Sequence, residues 1–129
     1  MTKKVFCLGV WDMFHIGHLQ LILAAAKLGD LTVGVVIDEA VREEKGPDRP
    51  VIPFWQRRMI VQSIKGVVDT AAVLFAIPEN VLNDYDLIVI GADQNHITNL
   101  DKIPQEKRVN LPRTEGISTS DLIKKMEQK

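Results

Sequence analysis

The chain has 129 residues, of which 46% are apolar and 26% charged, and its formal net charge is −1. This composition is ordinary for one globular domain that can bury a core, so we expect a single domain over residues 1–129. The near-neutral charge argues against bulk nucleic-acid binding. No run reaches the ~20 apolar residues of a membrane span, and no signal-peptide pattern is visible. We therefore expect a cytoplasmic protein without nucleic-acid or membrane partners.

Cys7 is the only cysteine of the chain. A single cysteine cannot form an intrachain disulfide, and it excludes a metal site built from cysteines. Because Cys7 lies in an apolar run, we expect a buried and unreactive thiol.

The first 37 residues predict a β-α-β unit. Residues 4–10 form an apolar run typical of a buried strand, and residues 31–37 form a second. Between them, residues 16–28 have helical spacing, and Gly29 follows as a stop signal. The predicted apolar stripe of this helix consists of Leu19, Ile22, Leu23 and Ala26.

A long polar loop is predicted over residues 39–53, which contain Gly46 and three prolines. The segment 92–105 carries no strong pattern. The remaining predicted elements are a helix over 54–65, a strand over 71–75, a short helix over 78–83, strands over 87–90 and 108–111, and a final helix over 118–127. Strands that alternate with helices indicate an α/β domain, whose five-stranded parallel sheet is covered by helices on both faces.

In such sheets, ligands bind beyond the carboxyl ends of the strands. Four segments follow predicted strands directly, and we expect them to meet at this edge. They are residues 10–18, 38–53, 91–96 and 112–119.

The pair His15 and His18 is placed at the start of the first predicted helix, where three-residue spacing lets both side chains face one side. Free N–H groups and the dipole at this helix end favour an anion, and Gly17 allows close approach of a phosphate. The alternatives are a metal pair and two incidental histidines, and Asp12 is the only obvious further ligand for a metal. We expect no protein metal site.

A second polar segment, Ser118 to Asp121, opens the last predicted helix and fits a capping box with Asp in place of Glu or Gln. Capping alone would explain it. Phosphate binding is the functional alternative, with Arg113 supplying a fixed positive charge and a bidentate fork.

Further cations follow the second predicted strand. Lys45 lies in the predicted loop with Arg42 and Arg49, and one of them could neutralise charge that develops at a phosphorus atom. Arg57 is another candidate, with a helix-surface ion pair as the alternative. Asp93 could contact a ribose hydroxyl, a base or Mg²⁺, or could form a turn.

The sequence has neither a P-loop nor a dinucleotide-binding glycine pattern, and no arrangement for a covalent nucleophile is visible. Groups that bind and clamp phosphates without a nucleophile suit nucleotidyl transfer, in which positioning and charge stabilisation dominate catalysis.

The segment 9–18, Gly-Val-Trp-Asp-Met-Phe-His-Ile-Gly-His, resembles the Gly-Thr-Phe-Asp-x-x-His-x-Gly-His opening of small cytidylyltransferases. The segment 111–119, Leu-Pro-Arg-Thr-Glu-Gly-Ile-Ser-Thr, resembles their C-terminal signature. The resemblance is strongest to the bacterial CTP:glycerol-3-phosphate cytidylyltransferases, and it is weakest over 38–52 and 74–108.

The resemblance implies a Rossmann-like homodimer that joins CTP to a phosphorylated small alcohol, with Mg²⁺ assisting, and yields CDP-glycerol and pyrophosphate. The catalytic residues so implied are His15, His18, Lys45 and Arg113. Those implied in nucleotide binding are Val10, Trp11, Asp12, His15, Gly17, His18, Asp93, Arg113, Thr114, Ser118 and Thr119. Lys45 and Arg57 match substrate-binding positions.

Departures from the family pattern cluster on the acceptor side. Val10 and Trp11 replace Thr-Phe, Gln94 replaces a tryptophan, and residues 71–101 contain no lysine. The segment 45–50, Lys-Gly-Pro-Asp-Arg-Pro, is more similar to the heptose-phosphate adenylyltransferases.

Three alternatives therefore stay open. One is an adenylyltransferase that uses ATP with a sugar phosphate, FMN or a similar acceptor. Another is a CTP-dependent enzyme for phosphoethanolamine or phosphocholine. The last is a nucleotide-binding module without catalysis.

Overall fold

The structure is a computed structural model that describes residues 2–92, 94 and 96–112. Its strands are β1 (Lys4–Gly9), β2 (Asp30–Val36), β3 (Val67–Val73), β4 (Leu87–Gly91) and β5 (Arg108–Leu111). Its helices are α1 (Ile16–Ala26), α2 (Asp38–Lys45), α3 (Phe54–Gln62) and α4 (Glu79–Asp84), with 3-10 turns at Leu100–Lys102 and Gln105–Lys107. Within the described ranges, no helix is long and apolar enough to cross a membrane.

All strand pairs are parallel, and the order in the sheet is β3-β2-β1-β4-β5. Register pairs Cys7 of β1 with Val33 of β2 on one side and with Val89 of β4 on the other. The chain moves outward from β1 through β2 to β3, and then returns to the other side of β1 through β4. The point between β1 and β4 is therefore the topological switch point, where sheets of this kind bind ligands.

The core lies in two layers, one on each face of the sheet. Successive residues of a strand point to opposite faces. Phe6 of β1 accordingly packs in one buried cluster with Val41 of α2, and Cys7 packs in the other with Ile22 of α1 and Val61 of α3. The prediction of a five-stranded parallel sheet with helices on both faces is confirmed.

Cys7 has no exposed surface, and burial raises the pKa of its thiol to about 12. The thiolate form, which is the nucleophile, is negligible at neutral pH. The prediction that Cys7 is buried is confirmed, and the raised pKa supports the expectation of an unreactive thiol.

The prediction of an uninterrupted loop over 39–53 is wrong, because its first half is the helix α2. Asp38 and Glu39 lie in its first turn and Arg42 and Lys45 in its last, so the charges oppose the helix dipole at both ends. Val41 alone is buried. A helix with one buried apolar residue shows no helical spacing of apolar residues in its sequence. The acidic residues at its start and the basic residues at its end were the signal that could have predicted it.

Two element boundaries also differ from the prediction. β3, an edge strand, spans Val67–Val73 rather than 71–75, because the polar residues Asp69 and Thr70 interrupt its apolar pattern. α1 ends at Ala26, and Leu23 of its predicted stripe is 39% exposed. The predicted helix over 118–127 lies outside the described residues.

Candidate active site

The segments that follow β1, β2 and β4 meet at the carboxyl edge of the sheet, as predicted. Contacts join them directly: the carboxylate of Asp12 after β1 accepts hydrogen bonds from the backbone after α2, and Gln94 after β4 reaches Leu8 of β1. Of the predicted nucleotide-binding residues, the following lie outside the described residues: Asp93, Arg113, Thr114, Ser118 and Thr119.

His15 and His18 form one stacked unit at the beginning of α1. Their ring centroids are 3.8 Å apart and the ring planes differ by 21°. The Nδ1 atom of His15 accepts from the backbone N–H of Gly17 at 3.1 Å, and the Nδ1 atom of His18 accepts from the backbone N–H of His15 at 3.2 Å. Since both Nδ1 atoms are acceptors, each neutral ring carries its proton on Nε2.

The protein holds both imidazoles in the neutral form. Burial lowers the pKa of His18 to about 3, with a further lowering from the nearby His15. Burial also lowers the pKa of His15. The Nε2 atom of His15 is buried and has no hydrogen-bond partner within the described residues. A buried donor without a partner is rare in proteins, so this N–H, at the positive end of α1, is suited to an anion.

Two left-handed residues shape the turn before the histidines. Trp11 has φ 58° and Met13 has φ 47°, a conformation that is costly for large side chains. The indole N–H of Trp11 donates to the carbonyl of Gly34 at 2.9 Å, and the ring is 2% exposed. The indole therefore has a packing role in the core.

Asp12 lies in the turn between β1 and α1, and its carboxylate binds backbone groups from another segment. Its carboxylate is buried, and its Oδ2 and Oδ1 atoms each accept a backbone N–H at 2.8 Å, from Val51 and Ile52 respectively. The guanidinium of Arg49 lies 3.6 Å from Oδ2. Asp12 thus fastens the segment between α2 and α3 to the turn that leads into the histidine pair.

The predicted alternative of a surface ion pair for Arg57 is wrong in its location, because this side chain has no exposed surface. Its Nη2 atom lies 2.6 Å from the Asp38 carboxylate. Its other donors bond the carbonyls of Val10 at 2.7 Å, Val36 at 2.8 Å and Ile52 at 2.8 Å. Arg57 therefore ties together the ends of β1 and β2 and the segment before α3.

Lys45, the predicted loop lysine, is instead the last residue of α2, and its side chain is exposed. Within the described part of the chain, no hydrogen bond or ion pair joins it to the histidine pair. Gly46 follows in the left-handed region with φ 104°, and no atom lies within 4 Å of where its Cβ would be. The end of α2 that carries Lys45 is therefore open to solvent.

Gln94 is a site residue for which sequence reasoning assigned no role. Its Oε1 atom accepts from the backbone N–H of Gly91 at 2.9 Å, and its Nε2 atom donates to the carbonyl of Leu8 at 2.6 Å. The amide thus spans the ends of β1 and β4 at the switch point. Its position four residues after the end of the predicted strand over 87–90 was the available signal.

No group of three or more His, Cys, Asp or Glu side chains within the described ranges could hold a metal ion. The site offers donors to an anion rather than a cage for a cation.

The Cytidylyltransferase-like family model matches residues 6–125 of this chain. The match covers nearly the whole chain, and it includes most of β1, the turn, the histidine pair and the other four strands. The chain belongs to the cytidylyltransferase-like family.

Curated relatives match almost all of this chain but are much longer. It is 39% identical to "Bifunctional protein HldE" of Aeromonas hydrophila, covering 98% of this chain and 28% of that protein. It is 33% identical to "Ethanolamine-phosphate cytidylyltransferase" of Arabidopsis thaliana, covering 95% of this chain and 32% of that protein. The chain therefore spans about a third of the length of these relatives.

The fold also matches solved structures. The crystal structure of the lipopolysaccharide core biosynthesis protein from Thermoplasma volcanium superposes with a TM-score of 0.73, covering 89% of this chain and all of that chain. Sequence identity is 23%, so this likeness supports the fold alone.

Proposed function

We propose that this protein is a nucleotidyltransferase that acts on a nucleoside triphosphate and a small phosphorylated acceptor. An oxygen of the acceptor phosphate attacks the α-phosphorus in line and forms a new P–O bond. The bond from the α-phosphorus to the bridging oxygen of the β-phosphate breaks, and pyrophosphate leaves. Membership of the cytidylyltransferase-like family supports this class of reaction.

The observation that carries the proposal is the stacked pair of neutral imidazoles at the beginning of α1. His15 presents an Nε2 donor that is buried and lacks a partner within the described residues, and the pair stands at a helix N-terminus. Donors fixed before the substrate arrives stabilise charge on phosphate oxygens without reorganisation during the reaction. Positioning and charge stabilisation are the main requirements of phosphoryl and nucleotidyl transfer.

For the finer assignment, we propose CTP, as its Mg²⁺ complex, and glycerol 3-phosphate, with CDP-glycerol as product. The resemblance of residues 9–18 and 111–119 to glycerol-3-phosphate cytidylyltransferases supports this pair. The homodimer and the roles of Arg113, Thr114, Ser118 and Thr119 in binding the triphosphate are proposals on the same ground.

A second candidate is favoured by the segment between α2 and α3. The Lys-Gly-Pro-Asp-Arg-Pro run over 45–50 is similar to that of heptose-phosphate adenylyltransferases, and the chain is 39% identical to "Bifunctional protein HldE". ATP with a sugar phosphate is therefore the alternative pair. The 33% identity to "Ethanolamine-phosphate cytidylyltransferase" makes phosphoethanolamine an acceptor to include.

The test is pyrophosphate release with Mg²⁺, with CTP and ATP each crossed with glycerol 3-phosphate, phosphoethanolamine, phosphocholine and several sugar phosphates. Turnover with CTP and glycerol 3-phosphate is expected. Turnover with only another pair would refute the finer assignment and keep the reaction class. Silence across the panel, with nucleotide binding intact, would favour a non-catalytic binding module.

Histidine variants test the reaction class itself. We expect His15→Ala and His18→Ala to lower turnover by about 10²-fold or more, as for the loss of one preorganised donor. His96→Ala is the matched control, because His96 is exposed and contacts the ring of Phe75 rather than the histidine pair. Full activity in both site variants would contradict the proposal.

A further inference from the structure

Arg49 is a part-buried arginine whose Nε donor has no hydrogen-bond partner among the described residues. Its side chain is only 19% exposed, and its Nε atom is buried with no hydrogen-bond partner in the described part of the chain. The Arg49 side chain makes no other hydrogen bond to the described residues. Arg presents five N–H donors, and leaving such donors buried and unmet is costly.

The nearby carboxylate does not fill this gap. Arg49 Nε lies 3.6 Å from Oδ2 of Asp12, which is beyond hydrogen-bond length. That same oxygen accepts the backbone N–H of Val51 at 2.8 Å, and the other oxygen accepts that of Ile52 at 2.8 Å. The carboxylate thus fixes the backbone next to Arg49 and balances its charge at a distance, but leaves its fork of donors open.

Arg49 shares this lack of a partner with the histidine pair. Only two buried side-chain nitrogen or oxygen atoms of the described residues lack a hydrogen-bond partner, and they are Nε of Arg49 and Nε2 of His15. Asp12 links their segments, because it is three residues before His15 and bonds the backbone two and three residues after Arg49. Both orphaned groups are donors, so one anionic ligand class would satisfy both.

We propose that Arg49 binds a phosphate group of one of the two substrates and that Asp12 is the positioning residue that holds it there. This inference rests on the proposed function and names a further residue of the same site. The planar guanidinium can grip two phosphate oxygens at once, which a lysine cannot do. The phosphate belongs either to the nucleotide or to the acceptor, and these share one chemistry.

Calorimetric binding, which needs no turnover, tests the assignment. CTP and ATP probe the donor side, and glycerol 3-phosphate and inorganic phosphate probe the acceptor side. Each is titrated into the wild type, Arg49→Gln, Arg49→Lys and Arg58→Gln. Arg58 is the matched control, because it is exposed and its Nε bonds Thr70 on β3, away from the site.

We expect Arg49→Gln to weaken one class of ligand by about 10- to 100-fold, the usual loss for a charge-assisted hydrogen bond. Arg49→Lys retains the charge and loses the fork, so its loss is smaller. Weaker CTP or ATP binding assigns Arg49 to the donor phosphates, and weaker glycerol 3-phosphate or inorganic phosphate binding assigns it to the acceptor. The control retains wild-type affinity.

A purely structural role gives a different result. In that case Arg49→Gln lowers the melting temperature but binds every ligand within twofold of the wild type, which would overturn the inference and leave the proposed function standing. A wild type that binds none of the four ligands would overturn the proposed function and this inference together.

Discussion

Replacing Arg57 by methionine tests whether this residue holds the site together from inside the fold. Methionine retains most of the aliphatic stem and removes every donor. The carbonyls of Val10, Val36 and Ile52 lose a partner, and the Asp38 carboxylate loses its counter-charge. The function of this arginine is to satisfy these four acceptors, so the loss should appear in the free energy of unfolding.

The magnitude follows from burial. A buried acceptor left without a donor costs about 1–3 kcal/mol, and breaking a buried ion pair costs about 3–5 kcal/mol. Asp38 is 26% exposed, and water can reach the part-buried Ile52 carbonyl, so the separate costs do not add fully. We expect a loss of about 4 kcal/mol, which in a domain of this size lowers the melting temperature by about 15 °C.

The assay is urea and thermal unfolding followed by circular dichroism. Arg58→Met is the control, since this neighbour is exposed and makes a single bond, from its Nε to the Thr70 hydroxyl at 3.0 Å. Its expected loss is about 1 kcal/mol. If the Arg57 variant is destabilised no more than the Arg58 variant, the argument from buried acceptors is wrong.

Three further predictions concern the same core. Burial in the folded protein lowers the pKa of His18 from 6.5 to about 3, so the unfolded chain binds more protons in this range and the free energy of unfolding falls as pH drops from 6.5 towards 3. His18→Gln should make the urea midpoint of unfolding less dependent on pH over this range. An unchanged pH dependence would contradict the prediction. Gly9→Ala should cost about 1–3 kcal/mol, because its Cβ would lie 2.8 Å from the Trp11 ring, whereas Gly91→Ala meets nothing nearer than 3.5 Å and should unfold near the wild-type midpoint. Cys7 should resist alkylation at pH 8 until the protein unfolds, and rapid labelling of the native state would refute its burial.

The sequence was sufficient to predict the parallel sheet and the close placement of His15 and His18. Both depend on local signals: apolar runs for the strands, and polar residues placed directly after β1. The sequence was insufficient to predict helix α2, because only Val41 of this helix is buried and its sequence therefore lacks the apolar spacing of a helix. Local patterns also misplaced the start of β3, because Asp69 and Thr70 interrupt the apolar run of this strand.

The role of Arg57 shows why the site could be predicted only in part. Its identity as a candidate was visible, but its burial depends on carbonyls that lie 21 and 47 residues away in the chain. The same holds for Asp12, whose partners are 39 and 40 residues away. A single sequence gives no means of pairing such distant groups, because the partners are backbone atoms that every residue type carries.

That reliance on backbone partners has a consequence for sequence variation at this site. Asp12 and Arg57 contact N–H and C=O groups of Val10, Val51 and Ile52, so the geometry of these segments is independent of the side chains that they carry. Val51, which is 50% exposed, could change to many residue types without moving the chain. Relatives of this protein could thus exchange the side chains of these segments without changing the backbone geometry, provided that the Asp12 carboxylate and the Arg57 guanidinium are kept.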